Sequence, residues 1–330
     1  MNPQTDTMKH ILLDDLAPRL DPELAAVFAT MPRPPPDARA EIVDVRTRFE
    51  QLVTALRQAL PPGAAVLQQD LEVPAQGEQP AVPLRVYRPT ENATQGVLLW
   101  MHGGGFIAGD HRYEDLLALR WVRETGCTVV SVGYRLAPEH RHPAAVNDCY
   151  AALCWVAGET APLGFKPSKL AIGGMSAGGC LAAATALMAR DRGDPALCWQ
   201  MLLIPVLDNR HQTPSSHEIA DPRCWNRTSS FAAWTMYAGA DFLQQTSPYL
   251  APAQAQDLRG LPPCYIEVAE IDNLRDEAIE YGLRLMQAGV RTELHVYPGA
   301  CHGSAVFLPQ AAISERAQAD ATAALKAALA

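Results

Sequence analysis

From about residue 66 onward the chain alternates between short apolar runs rich in β-branched residues and longer stretches with helical patterning. The runs Val66 to Val73, Val82 to Arg88, Val97 to Met101, Thr128 to Gly133, Leu170 to Gly173, Gln200 to Ile204, Tyr265 to Val268 and Thr292 to Tyr297 predict strands. From Val97 on, helical patterns such as Ala144 to Ala157, Ala177 to Arg190, Arg275 to Ala288 and Gln310 to Leu329 fall between or after them. Alternation of this kind predicts an α/β fold with a largely parallel sheet covered by helices on both faces. The two earliest strands are expected at an antiparallel edge.

Two segments stand outside this rhythm. Asp21 to Thr30 and Arg39 to Leu60 read as helices, the second with Asp37 as its N-cap, and the proline-rich stretch Met31 to Pro36 separates them. Between Leu207 and Leu250 the pattern fails again, and Trp225, Phe231, Trp234, Met236, Tyr237 and Phe242 cluster on short predicted helices. A segment that long inside a compact domain is usually functional, and it reads as part of a lid packed against the N-terminal helices. The expected organisation is a cap from residues 1–60 and 207–250 over a core built from 61–206 and 251–330.

Composition narrows the class. Of 330 residues, 48% are hydrophobic and 19% charged, which suits a large buried core rather than a disordered chain. The net charge of -9, with no Lys/Arg run, lacks the footprint of a nucleic-acid or anionic-membrane partner. The first twenty residues fail as a signal peptide because Asp14 and Asp15 interrupt their short apolar run, and a cytoplasmic protein is expected. Apolar stretches such as Leu181 to Ala189 fall short of the ~18 residues a membrane span needs. Eight cysteines are scattered without C-x-x-C or Cys/His ligand spacing, so reduced, mostly buried thiols are expected and no metal site. Cys301, beside His302, is the one placed near candidate chemistry.

That chemistry begins at Lys169 to Gly179, where a strand runs into Gly174-Met-Ser-Ala-Gly178 and then an alanine-rich helix. A G-x-S-x-G in a strand-turn-helix setting thrusts its serine out at the carboxyl edge of a sheet, so Ser176 is the candidate nucleophile. A bare motif could instead be a glycine-rich turn for helix packing; the setting decides against that. A serine hydroxyl needs a base oriented by a third group, and in this setting the acid and histidine follow the serine in the chain. His295 lies inside a predicted strand, whereas His302 lies in the glycine-bracketed loop Pro298 to Gly303 and is the candidate base. Asp272 falls where the strand Tyr265 to Val268 gives way to a helix and is the candidate acid, with Glu270 in reserve; Asp276 and Glu277 suit the first turn of that helix. Trp100 to Phe106 contains His102-Gly-Gly-Gly105, whose backbone N–H groups can approach a substrate, so Gly104, Gly105 and Ala177 are candidate oxyanion donors. The same glycines lack the lysine and spacing of a phosphate-binding loop, so no nucleotide cofactor is expected.

These motifs resemble the bacterial hormone-sensitive-lipase-like esterases, family IV. The resemblance runs from about Val82 to Gly303 and rests on His102-Gly-Gly-Gly-Phe106, Tyr134-Arg-Leu-Ala-Pro-Glu-His140, Pro143 to Asp148, Gly174 to Gly179, Leu274-Arg-Asp-Glu277, Ala288-Gly-Val290 and His302-Gly303. It implies an eight-stranded α/β-hydrolase core with a helical cap and cofactor-free hydrolysis of short- to medium-chain carboxylic esters, often by a homodimer. It supports Ser176, Asp272 and His302 as a triad, and gives His102 and the Tyr134 to Asp148 segment a supporting role. Two positions depart from the family pattern: Met175 replaces the usual Asp or Thr before the serine, and Ser304 replaces an aromatic after His302-Gly303, where Phe307 is placed to fill the space. Phe106, Met175, Trp225, Trp234 and Tyr237 are expected to wall the substrate pocket, although aromatics at helical spacing are also ordinary packing residues. Lactone or amide hydrolysis, dehydration, or small-molecule reception without turnover are the alternatives on the same scaffold.

Overall fold

The computed structural model describes residues 17–31, 42–58, 66–91, 93–94, 96–113, 115–158, 167–219 and 221–330. The proposed N-cap Asp37 and the prolines at 32–36 lie outside the described residues. Strands β1 (Val66–Val73), β2 (Val82–Pro89), β3 (Gly96–Met101), β4 (Thr128–Val132), β5 (Lys169–Met175), β6 (Trp199–Leu203), β7 (Cys264–Ile271) and β8 (Thr292–Cys301) form one sheet. Their order is β1-β2-β4-β3-β5-β6-β7-β8. As expected, the first two strands make the antiparallel edge; from β4 to β8 every pairing is parallel.

The strand sequences explain their places. β3, β4 and β6 are buried along their whole length, the continuous apolar signature of a strand covered on both faces. Because side chains alternate across a strand, Leu99, Ile172 and Ile266 enter one core while Trp100, Ala171 and Tyr265 enter the other. The first core is closed by α4 (Ala144–Gly158), α5 (Ala177–Arg192) and α8 (Arg275–Gln287); the second by α3 (Asp115–Thr125) and α10 (Ala312–Leu329). Trp100 of β3 meets Trp121 of α3 edge-on, with ring centroids 4.7 Å apart. α5 is buried around its circumference from Ala177 to Ala189, which its run of small residues permits.

Three features differ from the sequence expectation. α3 was not singled out by the pattern, since its Leu117, Leu119, Trp121 and Val122 are as apolar as a strand. β7 and β8 run on to Ile271 and Cys301, so most of the segment expected as a loop before His302 is strand. An irregularity between Ala269 and Ile271 restores the pairing of Ile271 with Cys301 beyond the regular ladder.

Both segments expected to form a cap carry helices among the described residues. α1 (Pro22–Thr30) starts at Asp21, which accepts the Glu23 N–H at 2.9 Å. α2 spans Ile42–Gln58, and the later segment supplies α6 (Ser215–Glu218) and α7 (Arg227–Ala238), the latter capped by Asn226. Leu24 and Phe28 of α1 cluster with Ile219, Ile271 and Cys301, and Arg223 donates to the Phe28 carbonyl at 2.9 Å. The N-terminal helix and the later segment therefore pack on each other.

The start of α5 lies directly on β3: a Cβ at Gly178 would sit 2.0 Å from the Met101 carbonyl oxygen, a backbone atom that cannot step aside. Gly178→Ala is expected to cost about 1–3 kcal/mol through forced displacement of helix from sheet. A lowered urea midpoint at unchanged slope would show it.

Candidate active site

Ser176 is the single residue between β5 and α5, and its φ of 55° is the left-handed turn that lifts a side chain above a sheet edge. Only glycine fits at position 174, where a Cβ would lie 2.1 Å from the Gly178 carbonyl oxygen. The turn is pinned from the next strand: Ser176 N–H donates to the Leu203 carbonyl at 2.9 Å and Val206 N–H to the Ser176 carbonyl at 3.0 Å.

Ser176 Oγ lies 3.0 Å from His302 Nε2, and His302 Nδ1 lies 2.7 Å from Asp272 Oδ2. Asp272 is buried, and its other oxygen accepts the Leu274 N–H at 3.0 Å. The Asn273 amide is satisfied with its nitrogen toward Asp272 Oδ1 and the Trp225 carbonyl and its oxygen toward Ser230 Oγ, which ties the acid to the cap. In this chain of contacts a carboxylate orients an imidazole, and the imidazole can take a proton from a serine hydroxyl.

Gly104 and Gly105 face Ser176 across the same cavity, at φ 120° and 62°. A Cβ on Gly104 would lie 2.1 Å from the Ala108 carbonyl oxygen, and one on Gly105 would lie 2.8 Å from the Trp225 ring. Ala177 is the first residue of α5, so its N–H has no intrahelical acceptor and points out of the helix N-terminus. His102 supports the glycine loop from behind. Its Nδ1 contacts the Gly103 carbonyl at 2.7 Å and its ring stacks on Tyr134, whose hydroxyl donates to the His102 carbonyl. Burial lowers the His102 pKa to about 4, which keeps the imidazole neutral at neutral pH. Further along, Arg135 grips buried Asp148 and Ala137 N–H donates to the Phe106 carbonyl.

The cavity over Ser176 has a volume of about 450 Å³. Gly103 to Gly105, Met175, Ile204 and His302 form its floor, and Phe28, Phe49, Tyr113, Trp225 and Phe307 its walls. Among the described residues of that lining, Arg223 is the one charged group, and Asp221 pairs with it at 2.8 Å. Trp225 lies over the His302 ring with centroids 6.0 Å apart. A larger groove of about 620 Å³, lined by Arg46, Glu50, Asp110, Arg112 and Glu139, contains none of the triad.

Some expected wall residues are elsewhere. Met175 and Trp225 line the cavity, but Phe106, Trp234 and Tyr237 do not. Phe106 stacks on Tyr237 at 4.0 Å and packs against Trp234 at 5.5 Å, and all three are buried as packing beneath the cap. Phe307 does reach the space beside His302. Phe28, Phe49 and Tyr113 went unnoticed in the sequence because nothing periodic marks isolated aromatics that face a cavity between elements.

The reserve acid Glu270 is engaged otherwise, with Arg19 at 2.5 Å and the Gly299 N–H at 2.8 Å. Glu277 lies in the first turn of α8, as expected. It is buried, accepts the Leu207 and Asp208 N–H groups, and burial pushes its carboxyl well above the usual range. Asp276 accepts the Ser215 N–H at 2.7 Å. His211 is buried against Phe231 and Phe242, and His295 pairs with Glu293 on β8; neither contacts Ser176.

A serine hydrolase of the α/β type is the class that this sheet, elbow and triad define. The chain belongs to the alpha/beta hydrolase fold family, whose model matches residues 98–306, and within it to the hormone-sensitive-lipase-like branch. It is 37% identical over 300 residues to esterase LipI of Mycobacterium tuberculosis, covering 88% of this chain and 89% of that protein. It is 40% identical over 253 residues to carboxylesterase NlhH of the same species, covering 75% and 79%. Among solved structures it resembles a bacterial heroin esterase, with a TM-score of 0.88 and 42% identity over 95% of this chain and 99% of the other.

Behind Met175 lies a void of about 10 Å³ bounded by Ile204, Glu267, Tyr297 and Ser314. Glu267 is buried there, and desolvation, reinforced by Asp320, raises its pKa from 4.5 to about 7. In the unfolded chain this carboxyl ionises first, so between about pH 4.5 and 7 the folded state holds the extra proton. Its contribution to stability is therefore intact below that window and falls by roughly 3 kcal/mol on passing upward through it. Glu267→Gln is expected to be the more stable protein at pH 8, with the difference shrinking toward pH 4.5. Urea unfolding of both proteins across this range measures it.

Proposed function

We propose that the chain hydrolyses small, uncharged carboxylic esters through an acyl-enzyme on Ser176. The observation that carries this is the Ser176–His302–Asp272 relay, with contacts of 3.0 and 2.7 Å, opening into an apolar cavity of about 450 Å³. Its relatives named esterase and carboxylesterase agree, and the chain is a carboxylic ester hydrolase.

Ser176 Oγ attacks the ester carbonyl as His302 Nε2 takes its proton. Asp272 holds the other imidazole nitrogen and stabilises the imidazolium that forms. The carbonyl oxygen gathers negative charge in front of the N–H groups of Gly104, Gly105 and Ala177, each such donor being worth about 10²–10³ in rate. His302 then returns the proton to the departing alcohol, and a water repeats the sequence to release the acid. The aromatic walls favour an apolar substrate, and a cavity of about 450 Å³ favours short to medium acyl chains.

The cap formed by α1, α2 and the 207–250 segment shapes substrate access in this reading. A homodimer is the proposed assembly, supported by the open edge of β8, where Val296 is exposed. A cytoplasmic setting is supported by the eight cysteines, all free thiols. None of the described helices is long and apolar enough to cross a membrane.

Ser176→Ala is expected to lower kcat on a short-chain aryl ester by about 10⁴-fold or more with an unchanged circular dichroism spectrum. Substantial residual turnover would sink the nucleophile assignment. Across p-nitrophenyl esters of rising acyl length, kcat/KM is expected to peak at short to medium chains. Equal or faster turnover of the matched lactone or anilide would replace the ester reading with another reaction on the same triad.

A further inference from the structure

The thiols of Cys224 and Cys301 meet at the junction between cap and catalytic strand. Cys301 ends β8, is buried, and immediately precedes His302. Its backbone partner across the sheet is Ile271, the residue before Asp272, so it lies between two members of the triad. Cys224 comes from the cap, immediately precedes Trp225, and lines the active-site cavity. The two residues belong to one apolar cluster with Leu24, Phe28 and Ile271, and their thiols lie within side-chain hydrogen-bonding reach.

Both backbones are held in place. The Cys224 N–H donates to the Asp221 carbonyl at 3.2 Å, the Cys224 carbonyl accepts from Asn226, and Arg223 ties the turn to Phe28. On the other side the strand pairing fixes Cys301. The neighbouring Cys224 thiol and burial keep Cys301 protonated, its pKa well above the ordinary range, so it is not itself the first target of an oxidant. Cys224 is half-buried and open to the cavity, so an oxidant that enters the substrate site meets it first.

We propose that Cys224 and Cys301 form an oxidation site at which a hydroperoxide entering the substrate cavity closes a disulfide and arrests turnover. The Cys224 sulfur takes an oxygen atom from the hydroperoxide, which leaves as the alcohol, or as water when the oxidant is hydrogen peroxide; the cysteine becomes a sulfenic acid. The Cys301 sulfur then displaces the sulfenic hydroxyl, the new S–S bond replaces the S–O bond, and the Cys301 proton departs with the hydroxyl as water. Two thiols are oxidised and one peroxide is reduced.

Closing a thiol contact to a bond of about 2.05 Å with a fixed dihedral draws the Trp225 turn and the His302 junction together. Misplacing a catalytic group by about 1 Å costs on the order of 10²-fold in rate, so the bridge should inhibit strongly. Reduction restores the contact and the activity. The buried Cys127, Cys149, Cys180 and Cys264 are raised in pKa by burial and lie away from the cavity, so they should stay reduced.

The experiment treats the reduced full-length protein with a few equivalents of hydrogen peroxide and quenches it. Thiols are counted after denaturation, the bridge is located by peptide mapping, and turnover of a short aryl ester is followed before and after dithiothreitol. Free thiols are expected to fall from eight to six, with a mass loss of two hydrogens, a Cys224–Cys301 peptide, and at least a tenfold loss of turnover that dithiothreitol reverses. Cys224→Ser, compared with itself before and after peroxide, is expected to keep its own activity and form no bridge; Cys301→Ser provides the same comparison from the buried side. Retention of all eight thiols, oxidation mapped to Cys154 or Cys198 with this pair free, a bridge that leaves turnover unchanged, or equal inactivation of Cys224→Ser would overturn the proposal. The thiol count and mapping do not depend on which ester is hydrolysed, so failure here is separable from failure of the esterase reading.

Discussion

The parallel pairing of β3, β5, β7 and β8 within one sheet is the constraint on which the rest depends. Parallel strands end at a common edge, and the reactive groups are the first residues beyond those ends: His102 and its glycines after Met101, Ser176 after Met175, Asp272 after Ile271, and His302 after Cys301. No long loop has to search for its place. Ser176, Asp272 and His302 inherit their separation from the spacing of strands, and the Ile271–Cys301 pairing sets Asp272 against His302 directly. A triad delivered by a buried sheet is held more tightly than one delivered by loops.

Strain and buried charge concentrate around this edge. Ser176 and Ile204 both adopt positive φ, and Ile204 is β-branched, a residue type that seldom does so. Backbone bonds from β6 and β7 hold both: Ser176 N–H to Leu203, and Ile204 N–H to the Glu267 carbonyl at 2.8 Å. Glu277 satisfies the next two N–H groups of the same turn. The buried Glu277 carboxyl thus replaces water on backbone donors that the turn would otherwise leave orphaned. Met175 bounds both the cavity over Ser176 and the void at Glu267.

The 207–250 segment adds part of the cavity wall. Trp225 contacts both sides of the reaction centre, lying over His302 and limiting the space at Gly105. Its turn is tied to α1 through Arg223 and to the acid through Asn273, so the cavity wall and the triad are one hydrogen-bonded unit. That coupling is why Cys224 and Cys301 matter: they lie where the wall and the catalytic strand touch.

Much of this was written in the chain. Strand-helix alternation pointed to the parallel sheet and the glycines around Ser176 to the elbow, because those signals are local and set by backbone sterics or periodicity; His302 followed from its glycine-bracketed loop, and Asp272 from its strand-end position together with the family resemblance. The lengths of β7 and β8 were not legible, since the pairing of Ile271 with Cys301 exists only once two segments thirty residues apart lie side by side. Nor was the cavity wall. Phe106, Trp234 and Tyr237 look like a binding surface in sequence and are packed on one another, while Phe28, Phe49 and Tyr113 look unremarked and face the substrate space. An aromatic ring carries the same drive to leave water in either place. Which rings fill the core and which line the cavity was decided only when the cap docked on the sheet.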